Sequence, residues 1–370
     1  MIRIVDTTLR DGEQSPGVAF SMKEKITIAR MLDEAGVRFI EAGTPAMGHG
    51  ELAALREISK MGLASQIIMW NRAVEKDIET SLECGAKNIH ISLPVSDFMI
   101  GRKLGRSRSF VITRLGKTVE LAMKGGAVVS IGAEDATRAD WEFLVEYAQA
   151  ARDLGAARLR YCDTVGVMDP FTIHEKVEAL AARAGIEIEM HTHNDFGLAT
   201  ANAIAGVKGG AAYVDTTITG IGERAGNAPL EEVVMALQIV MGMETGVDTT
   251  HLKNLAEFTA KAAGRALPRS KTIVGEEVFT HESGIHADGV IKDPGIYEPF
   301  DPALVGAKRR IVIGKHSGPR MVKRRLAELG FTFGGNTGRE VVEKIRAAAN
   351  MRKGGIPDAE LLRMARGAMN

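Results

Sequence analysis

The sequence predicts an α/β fold, a (β/α)8 TIM barrel, followed by a mostly helical C-terminal extension. Short apolar runs alternate with helical patterns eight times within residues 2–241, which is the usual size of such a barrel. The runs are nearly continuous in hydrophobicity, as expected for parallel strands that are covered on both faces. An open, doubly wound sheet is the alternative, but the chain carries no obvious Gly-x-Gly-x-x-Gly fingerprint. Eight regular units therefore favour a closed barrel.

Each predicted strand is followed by a predicted helix. The strands are residues 2–5, 38–42, 66–70, 88–93, 127–133, 157–161, 187–191 and 212–216. The first helix begins at a capping box, in which Ser21 and Glu24 satisfy each other's backbone amides. Thr137 is predicted to cap the helix after the fifth strand. Asp169 followed by Pro170 predicts the start of the helix after the sixth.

The pattern changes after Gly242. Residues 248–264 predict one amphipathic helix, and a segment rich in Gly, His and Pro predicts loops from 268 to 318. Three further helices are predicted at 319–328, 338–348 and 358–365. We therefore divide the chain into a catalytic barrel, residues 1–264, and a lid with a helical subdomain, residues 265–370.

Composition excludes several classes of protein. The 47 basic and 47 acidic residues balance, so no global field attracts nucleic acid or an anionic membrane. The two cysteines, Cys84 and Cys162, form no CxxC motif and no disulfide framework, which fits a reducing compartment. The N-terminus does not have the charged and apolar regions of a signal peptide, and no apolar run approaches the ~20 residues of a spanning helix. We expect a cytoplasmic protein.

A metal site is predicted where the strands end. His191 and His193 are two residues apart at the end of the seventh strand, so their imidazoles project to the same face. Asp11 after the first strand and Asn227 after the eighth could complete a set of nitrogen and oxygen ligands. Such a set suits Mn²⁺, Zn²⁺, Fe²⁺ or Mg²⁺. The alternatives are one buried and one solvated histidine, and an Asp11 carboxylate that merely pairs with Arg10.

Two further polar groups lie beside the predicted ligands. Arg10 is placed to neutralise an oxyanion that develops next to a metal. Its alternative role is a structural ion pair with Asp6 or Asp11. Asn194 and Asp195 are predicted to cap the helix that follows them.

Four motifs carry a resemblance to a known family. Residues 6–14 (DTTLRDGEQ), 191–199 (HTHNDFGLA) and 222–227 (GERAGN) resemble signatures of the metal-dependent Claisen-condensing barrels. These are the homocitrate, 2-isopropylmalate and citramalate synthases, with 3-hydroxy-3-methylglutaryl-CoA lyase as a relative. Residues 279–286 (FTHESGIH) resemble the segment that follows the barrel in the synthases. The resemblance spans nearly the whole chain.

Details within the motifs separate the relatives. The lyases carry a catalytic cysteine in the loop after the eighth strand, and residues 220–227 contain none. Residues 91–98 (ISLPVSDF) and 132–140 (GAEDATRAD) most resemble the homocitrate synthases of nitrogen-fixing bacteria, whose product becomes a ligand of the nitrogenase iron–molybdenum cofactor. The same product also begins the α-aminoadipate route to lysine, and the motifs do not separate these two destinations.

The resemblance implies a reaction and a set of residue roles. Acetyl-CoA would condense with 2-oxoglutarate, and hydrolysis of the thioester would release (R)-homocitrate and CoA. The metal would hold the 2-oxo acid, Arg10 would stabilise the developing oxyanion, and Glu134, His286 and Tyr297 would form the acid–base group. His286 would reach the active site of a neighbouring subunit, which implies a homodimer. Its alternative is a loop histidine with no role.

Substrate contacts are predicted on the same basis. Arg138 could bind the distal carboxylate, or could be a surface arginine at a helix start; Thr164 could bind the C1 carboxylate. The basic run 308–310 could meet the phosphates of CoA, or could be a solvated face. Two other functions stay open. The acid could instead be pyruvate or 2-oxoisovalerate, or the barrel could be catalytically inactive and sense acetyl-CoA or another metabolite.

Overall fold

The computed structural model describes residues 1–332, 337–352 and 354–368. By its internal contacts the chain divides into two compact units, Met1–Leu267 and Pro268–Asn370. Among the described residues, no helix is both long and apolar enough to span a bilayer.

The first unit is a closed barrel of eight parallel strands, which confirms the predicted fold. Each strand pairs with the next along the chain, and β8 closes the ring by pairing with β1. Because all eight strands run in the same direction, their carboxyl ends meet at one rim. The strands are β1 Arg3–Asp6, β2 Phe39–Gly43, β3 Gln66–Arg72, β4 Asn88–Pro94, β5 Val128–Glu134, β6 Arg158–Asp163, β7 Glu187–Thr192 and β8 Tyr213–Thr216.

Helices follow every strand. They span Met22–Glu34, His49–Lys60, Glu75–Glu83, Arg108–Lys124, Trp141–Asp153, Pro170–Ala184, Ala199–Lys208 and Leu230–Met235, and a further helix, Leu252–Ala262, follows the last of them. Their inner faces carry fully buried side chains such as Ile28, Leu32 and Leu115. Burying each of these contributes ~1.5–3 kcal/mol relative to leaving it exposed.

Two predicted helix starts are confirmed and a third is wrong. The Ser21–Glu24 capping box is present, and the Asp169 side chain accepts hydrogen bonds from the amides of Phe171 and Thr172. Thr137, however, lies in a short 3-10 turn, Ala136–Arg138. Ala139 has an extended backbone, which separates this turn from the next helix. Asp140 caps that helix, Trp141–Asp153, by accepting a hydrogen bond from the Phe143 amide at 3.0 Å.

The second unit is mostly helical. Its helices are Gly284–Lys292, Pro319–Glu328, Thr337–Arg352 and Asp358–Arg366, and the short strands Thr280–His281 and Arg310–Ile311 pair in parallel. The helix Gly284–Lys292 corrects the expectation that residues 268–318 form loops throughout. Three glycines and no strong helix signal at residues 284–295 hid this helix, which buries Ala287 against the core of the unit.

Candidate metal centre and active-site cavity

Three predicted ligands converge at the carboxyl ends of the strands. The Nε2 atoms of His191 and His193 lie 3.1 Å apart. Asp11 Oδ2 lies 3.7 Å from the first and 3.9 Å from the second. All three side chains are buried, and their ligand atoms lie within 4.8 Å of one another. The strand β7 thus places both imidazoles on one face, as its two-residue period requires.

The chemistry of these side chains fits a divalent cation. Among the described residues, the buried atoms Asp11 Oδ2 and Asn227 Oδ1 have no hydrogen-bond partner. Buried acceptors without a partner are costly, and a cation would satisfy both. His191 Nδ1 lies 2.7 Å from Asp215 Oδ2, so a proton on Nδ1 would leave Nε2 free to bind a metal.

Burial and neighbouring charges keep Asp11 and His193 in the protonation states that can bind a metal. Burial opposes ionisation of Asp11, but the Arg10 guanidinium, the two imidazoles and the Asn227 carboxamide together outweigh it, and the pKa of this carboxyl falls to about 2. Burial, aided by the adjacent His191, lowers the pKa of His193 to about 3. Near neutral pH, Asp11 is therefore a carboxylate and His193 a neutral imidazole.

Asn227 is placed by a loop that needs glycine. Gly226 has a φ of +94°, and a Cβ there would overlap the carbonyl oxygen of Gly220. This turn lets His193 and Asn227 pair in an isolated β-bridge. The same carboxamide helps to lower the pKa of Asp11. Asn227 is thus within reach of the cluster.

Arg10 is held on two sides. Its Nη1 donates to Asp11 Oδ1 at 2.8 Å and its Nε donates to Glu41 Oε1 at 2.5 Å. Its guanidinium carbon lies 5.3 Å from the centre of the Trp70 ring. Although burial opposes it, Arg10 and Arg160 hold the pKa of Glu41 well below its usual range. The guanidinium is therefore fixed beside the metal-binding cluster by two carboxylates.

A cavity of about 500 Å³ opens above this cluster. Glu134 lines it, and Lys103 Nζ donates to the two oxygens of Glu134 at 2.6 and 2.9 Å. Thr164 also lines it, with its hydroxyl oxygen accepting from the Asp135 amide at 2.8 Å. Arg10, Asp11, His191 and His193 form part of the wall, together with apolar side chains such as Trp70, Leu93, Leu104 and Phe110.

The structure does not bring Arg138 to this cavity. Its guanidinium donates to both oxygens of the buried Asp135, at 2.7 and 2.9 Å, and lies over the Phe98 ring. Among the described residues, the cations on the cavity wall besides Arg10, Arg160 and Arg224 are Arg72, Lys103 and Arg114. Lys103, Arg72 and Arg114 were missed in the sequence, because no local pattern indicates which cation faces the cavity.

The remaining predicted residues lie in the second unit. The rings of His286 and Tyr297 are stacked with centroids 4.2 Å apart, and both side chains are exposed. In the basic run, Arg309 pairs with Glu298 and Arg310 with Glu276. These arginines are thus engaged by carboxylates of their own unit.

The two predicted caps after β7 have different outcomes. Asn194 Oδ1 accepts from the Ala199 amide at 3.2 Å, so it does cap the helix Ala199–Lys208. Asp195 instead receives two hydrogen bonds from Arg224, at 2.8 and 3.0 Å. The cap prediction for Asp195 is therefore wrong, because a charged partner from the loop after β8 competes successfully with the backbone.

Fold and cluster together describe a barrel whose rim could hold a divalent cation, and comparison with known proteins gives its family. A family described as HMGL-like matches residues 1–259, and one described as homocitrate synthase post-HMGL domain-like matches residues 273–353. The chain belongs to the HMGL-like family, whose enzymes depend on a divalent metal and use acetyl-CoA. It is an enzyme, an acyltransferase.

Relatives of nearly full length carry different names. A protein named 2-isopropylmalate synthase 2, from Caldanaerobacter subterraneus, is 51% identical over 98% of this chain and 94% of its own length. A protein named homocitrate synthase 1, from Nostoc sp., is 47% identical over 98% and 96% of the two chains. The solved HMG-CoA lyase from Bacillus subtilis superposes with a TM-score of 0.66 at 22% identity, over 72% of this chain and 95% of that one, which supports the fold.

Proposed function

We propose that the protein is a homocitrate synthase, which condenses acetyl-CoA with 2-oxoglutarate and water to give (R)-homocitrate and CoA. The observation that carries this proposal is the Asp11, His191 and His193 cluster, with Arg10 fixed beside it, at the base of a cavity lined by additional cations. Relatives named homocitrate synthase, from Nostoc sp. and from Frankia alni at 49% identity over 89% of this chain, support the choice of acid.

The cluster is the proposed site of a divalent cation, Mn²⁺, Mg²⁺ or Zn²⁺. Asp11, His191 and His193 would hold it, with Asn227 as a fourth protein ligand. When bound, the cation supplies Lewis-acid polarisation of the keto group of the 2-oxo acid. Arg10 donates to the oxygen that gains negative charge as the carbon–carbon bond forms. One such donor is worth ~3 kcal/mol of transition-state stabilisation.

Three residues are proposed for proton transfer. Glu134 lies on the cavity wall, where Lys103 keeps its carboxylate oriented. His286 and Tyr297 stack on each other in the second unit and are exposed. Exposure leaves their polar atoms accessible, which supports the proposal that this pair serves the cavity of a second copy in a homodimer. A neutral imidazole can accept a proton from the acetyl methyl group.

Binding of the acid requires one group for each carboxylate. Thr164 is proposed for the C1 carboxylate, since it lines the cavity. For the distal carboxylate the sequence favours Arg138, and the cavity wall offers Lys103 as a second candidate. The motif at residues 132–140 supports use of the product in the nitrogenase cofactor.

A second acid, 2-oxoisovalerate, is favoured by one specific observation. Part of the cavity wall is apolar, with Trp70, Leu93, Leu104 and Phe110 on it, and these side chains could enclose a branched aliphatic group. The 51% identical relative named 2-isopropylmalate synthase 2 agrees with this alternative.

Release of CoA thiol tests both proposals. Purified protein with Mn²⁺ is given acetyl-CoA and, separately, 2-oxoglutarate, 2-oxoisovalerate or pyruvate, and a chelator-treated sample serves as the control. We expect kcat/KM to be highest with 2-oxoglutarate and the product to match (R)-homocitrate chromatographically. Preference for 2-oxoisovalerate or pyruvate would overturn the homocitrate assignment. No metal-dependent thiol release with any acid would instead indicate an inactive, ligand-sensing barrel.

A further inference from the structure

A buried arginine side chain, that of Arg160, lies inside the barrel next to the cluster of Asp11, His191 and His193. Arg160 lies on β6, its side chain is only 2% exposed, and it contacts carboxylates from three other strands. Its Nη2 donates to Glu41 Oε2 at 2.8 Å, its Nε donates to Glu189 Oε1 at 2.5 Å, and its Nη1 lies 3.2 Å from Asp215 Oδ2. A buried charge is tolerated only with such partners.

Two of these carboxylates hold the functional groups of the site. Glu41 accepts from Arg10 Nε, and Asp215 lies 2.7 Å from Nδ1 of His191. A continuous chain of charged contacts therefore runs from Arg10 through Glu41, Arg160 and Asp215 to His191. The planar guanidinium is suited to this position because its fork of donors reaches several acceptors in fixed directions.

We infer that Arg160 is a positioning residue that fixes the orientations of the His191 and Arg10 side chains relative to each other. It fixes Asp215, which orients the His191 ring for metal binding, and it fixes Glu41, which aims Arg10 at the position of the developing oxyanion. Outer partners of metal ligands tune affinity in this way because they restrict the orientation of the ligand. The inference rests on the proposed roles of His191 and Arg10, but it does not depend on which 2-oxo acid is the substrate.

The same strand supplies a matched control. Arg158 lies two residues earlier, is also buried, and pairs with the same Glu189. Its guanidinium lies over the rings of Phe39 and Tyr213, at 5.0 and 4.8 Å. Among the described residues, no hydrogen bond or ion pair joins Arg158 to Glu41 or Asp215. Removal of either arginine thus leaves Glu189 short of one cation, but only removal of Arg160 releases the carboxylates that hold the site.

The experiment compares Arg160→Met, Arg160→Lys and Arg158→Met in the full chain. Mn²⁺ affinity is measured by titration of the metal-free protein in the absence of substrates, and kcat is measured separately. We expect both Arg160 variants to bind Mn²⁺ ~10-fold more weakly and to lose at least as much in kcat, because a lysine cannot reach Glu41 and Asp215 together. Arg158→Met should stay within about threefold of wild type in both measurements.

Two results would overturn the inference. Equal losses of Mn²⁺ affinity and kcat in Arg158→Met and Arg160→Met would indicate that the barrel needs a buried positive charge and not the specific contacts of Arg160 with Glu41 and Asp215. Full recovery of Mn²⁺ affinity and kcat by Arg160→Lys would indicate the same. If Arg160→Met does not fold, as judged by circular dichroism, Arg160→Lys keeps the charge and carries the test. Because the titration contains no substrate, failure of the homocitrate assignment would leave its outcome intact.

Discussion

The proposed functional residues of the barrel and those of the second unit are held in opposite ways. In the barrel, Asp11 and His191 are buried, the Arg10 side chain is only 8% exposed, and all three contact charged or hydrogen-bonding partners on other strands. In the second unit, His286 and Tyr297 are exposed and stack on each other. Preorganised groups can bind and polarise a substrate without reorganising, whereas an exposed pair must be positioned by whatever it faces. The barrel thus carries a prepared centre, and the second unit carries groups whose role depends on their surroundings.

Removing a metal ligand should produce the largest effect. His191→Ala and His193→Ala are each expected to lose bound metal and to reduce turnover by ~10³-fold or more, because Lewis-acid stabilisation is worth several kcal/mol. Elemental analysis and thiol release measure the two losses. His90→Gln is the control, since His90 is buried beside the same cavity and bonds Ser130. Full metal occupancy in either alanine variant would remove these histidines from the centre.

Mixing inactive subunits tests whether the exposed pair serves another copy. Arg10→Ala should cost ~10²–10³ in kcat, the loss typical of one oxyanion donor, and His286→Ala should also be inactive. If each cavity takes its His286 from the partner, a random mixture should recover about a quarter of wild-type activity, because half the dimers carry one intact site.

The mixing experiment needs evidence that subunits exchange. Differently tagged copies, co-purified after mixing, provide it, and a mixture of Arg10→Ala with wild type calibrates the recovery. Co-purification without recovered activity would show that His286 acts within its own chain. The contrast between prepared and exposed groups would then carry no functional meaning.

The KM for 2-oxoglutarate should show whether Lys103 or Arg138 binds the distal carboxylate of the substrate. Lys103 lines the cavity, whereas Arg138 is paired with the buried Asp135 away from it. We expect Lys103→Gln to raise the KM for 2-oxoglutarate by ~10-fold or more, the value of one charge-assisted hydrogen bond, and Arg138→Gln to raise it by less than about threefold. The KM for acetyl-CoA serves as the control in both variants. The reverse order would assign the distal carboxylate to Arg138.

The fold could be predicted from the sequence because its sequence signals are local and repeated. Eight apolar runs with helical patterns between them define the barrel, and a capping box such as Ser21 to Glu24 depends on residues three apart. Where a local signal had a competitor, the prediction failed. Asp140 displaced Thr137 as a cap, and Arg224 drew Asp195 away from its helix.

Only part of the site could be predicted from the sequence, because the rest depends on contacts between residues far apart in the chain. His191 and His193 share one strand face, and Asp11 and Asn227 follow strands, so their convergence could be predicted from topology alone. The partners Glu41, Arg160 and Asp215 come from separate strands, and their contacts depend on inward side-chain orientation and length. Charged residues two apart within apolar strands, as in Arg158-Leu159-Arg160, are the signal that could have indicated them.

The last expected effect is on stability and not on activity, and it concerns an acidic side chain buried in the barrel. Burial raises the pKa of Asp6 from 3.8 to about 8, so the folded protein retains a proton that the unfolded chain releases above pH 4. The stabilisation associated with this proton is full below pH 4 and is lost as the pH rises towards about 8, at up to ~1.4 kcal/mol per pH unit. Asp6→Asn cannot titrate, so its Tm should rise relative to wild type between pH 5 and 8. Asp153→Asn, at an exposed carboxylate of the same unit, should show no such trend, and parallel Tm profiles for Asp6→Asn and wild type would contradict the prediction.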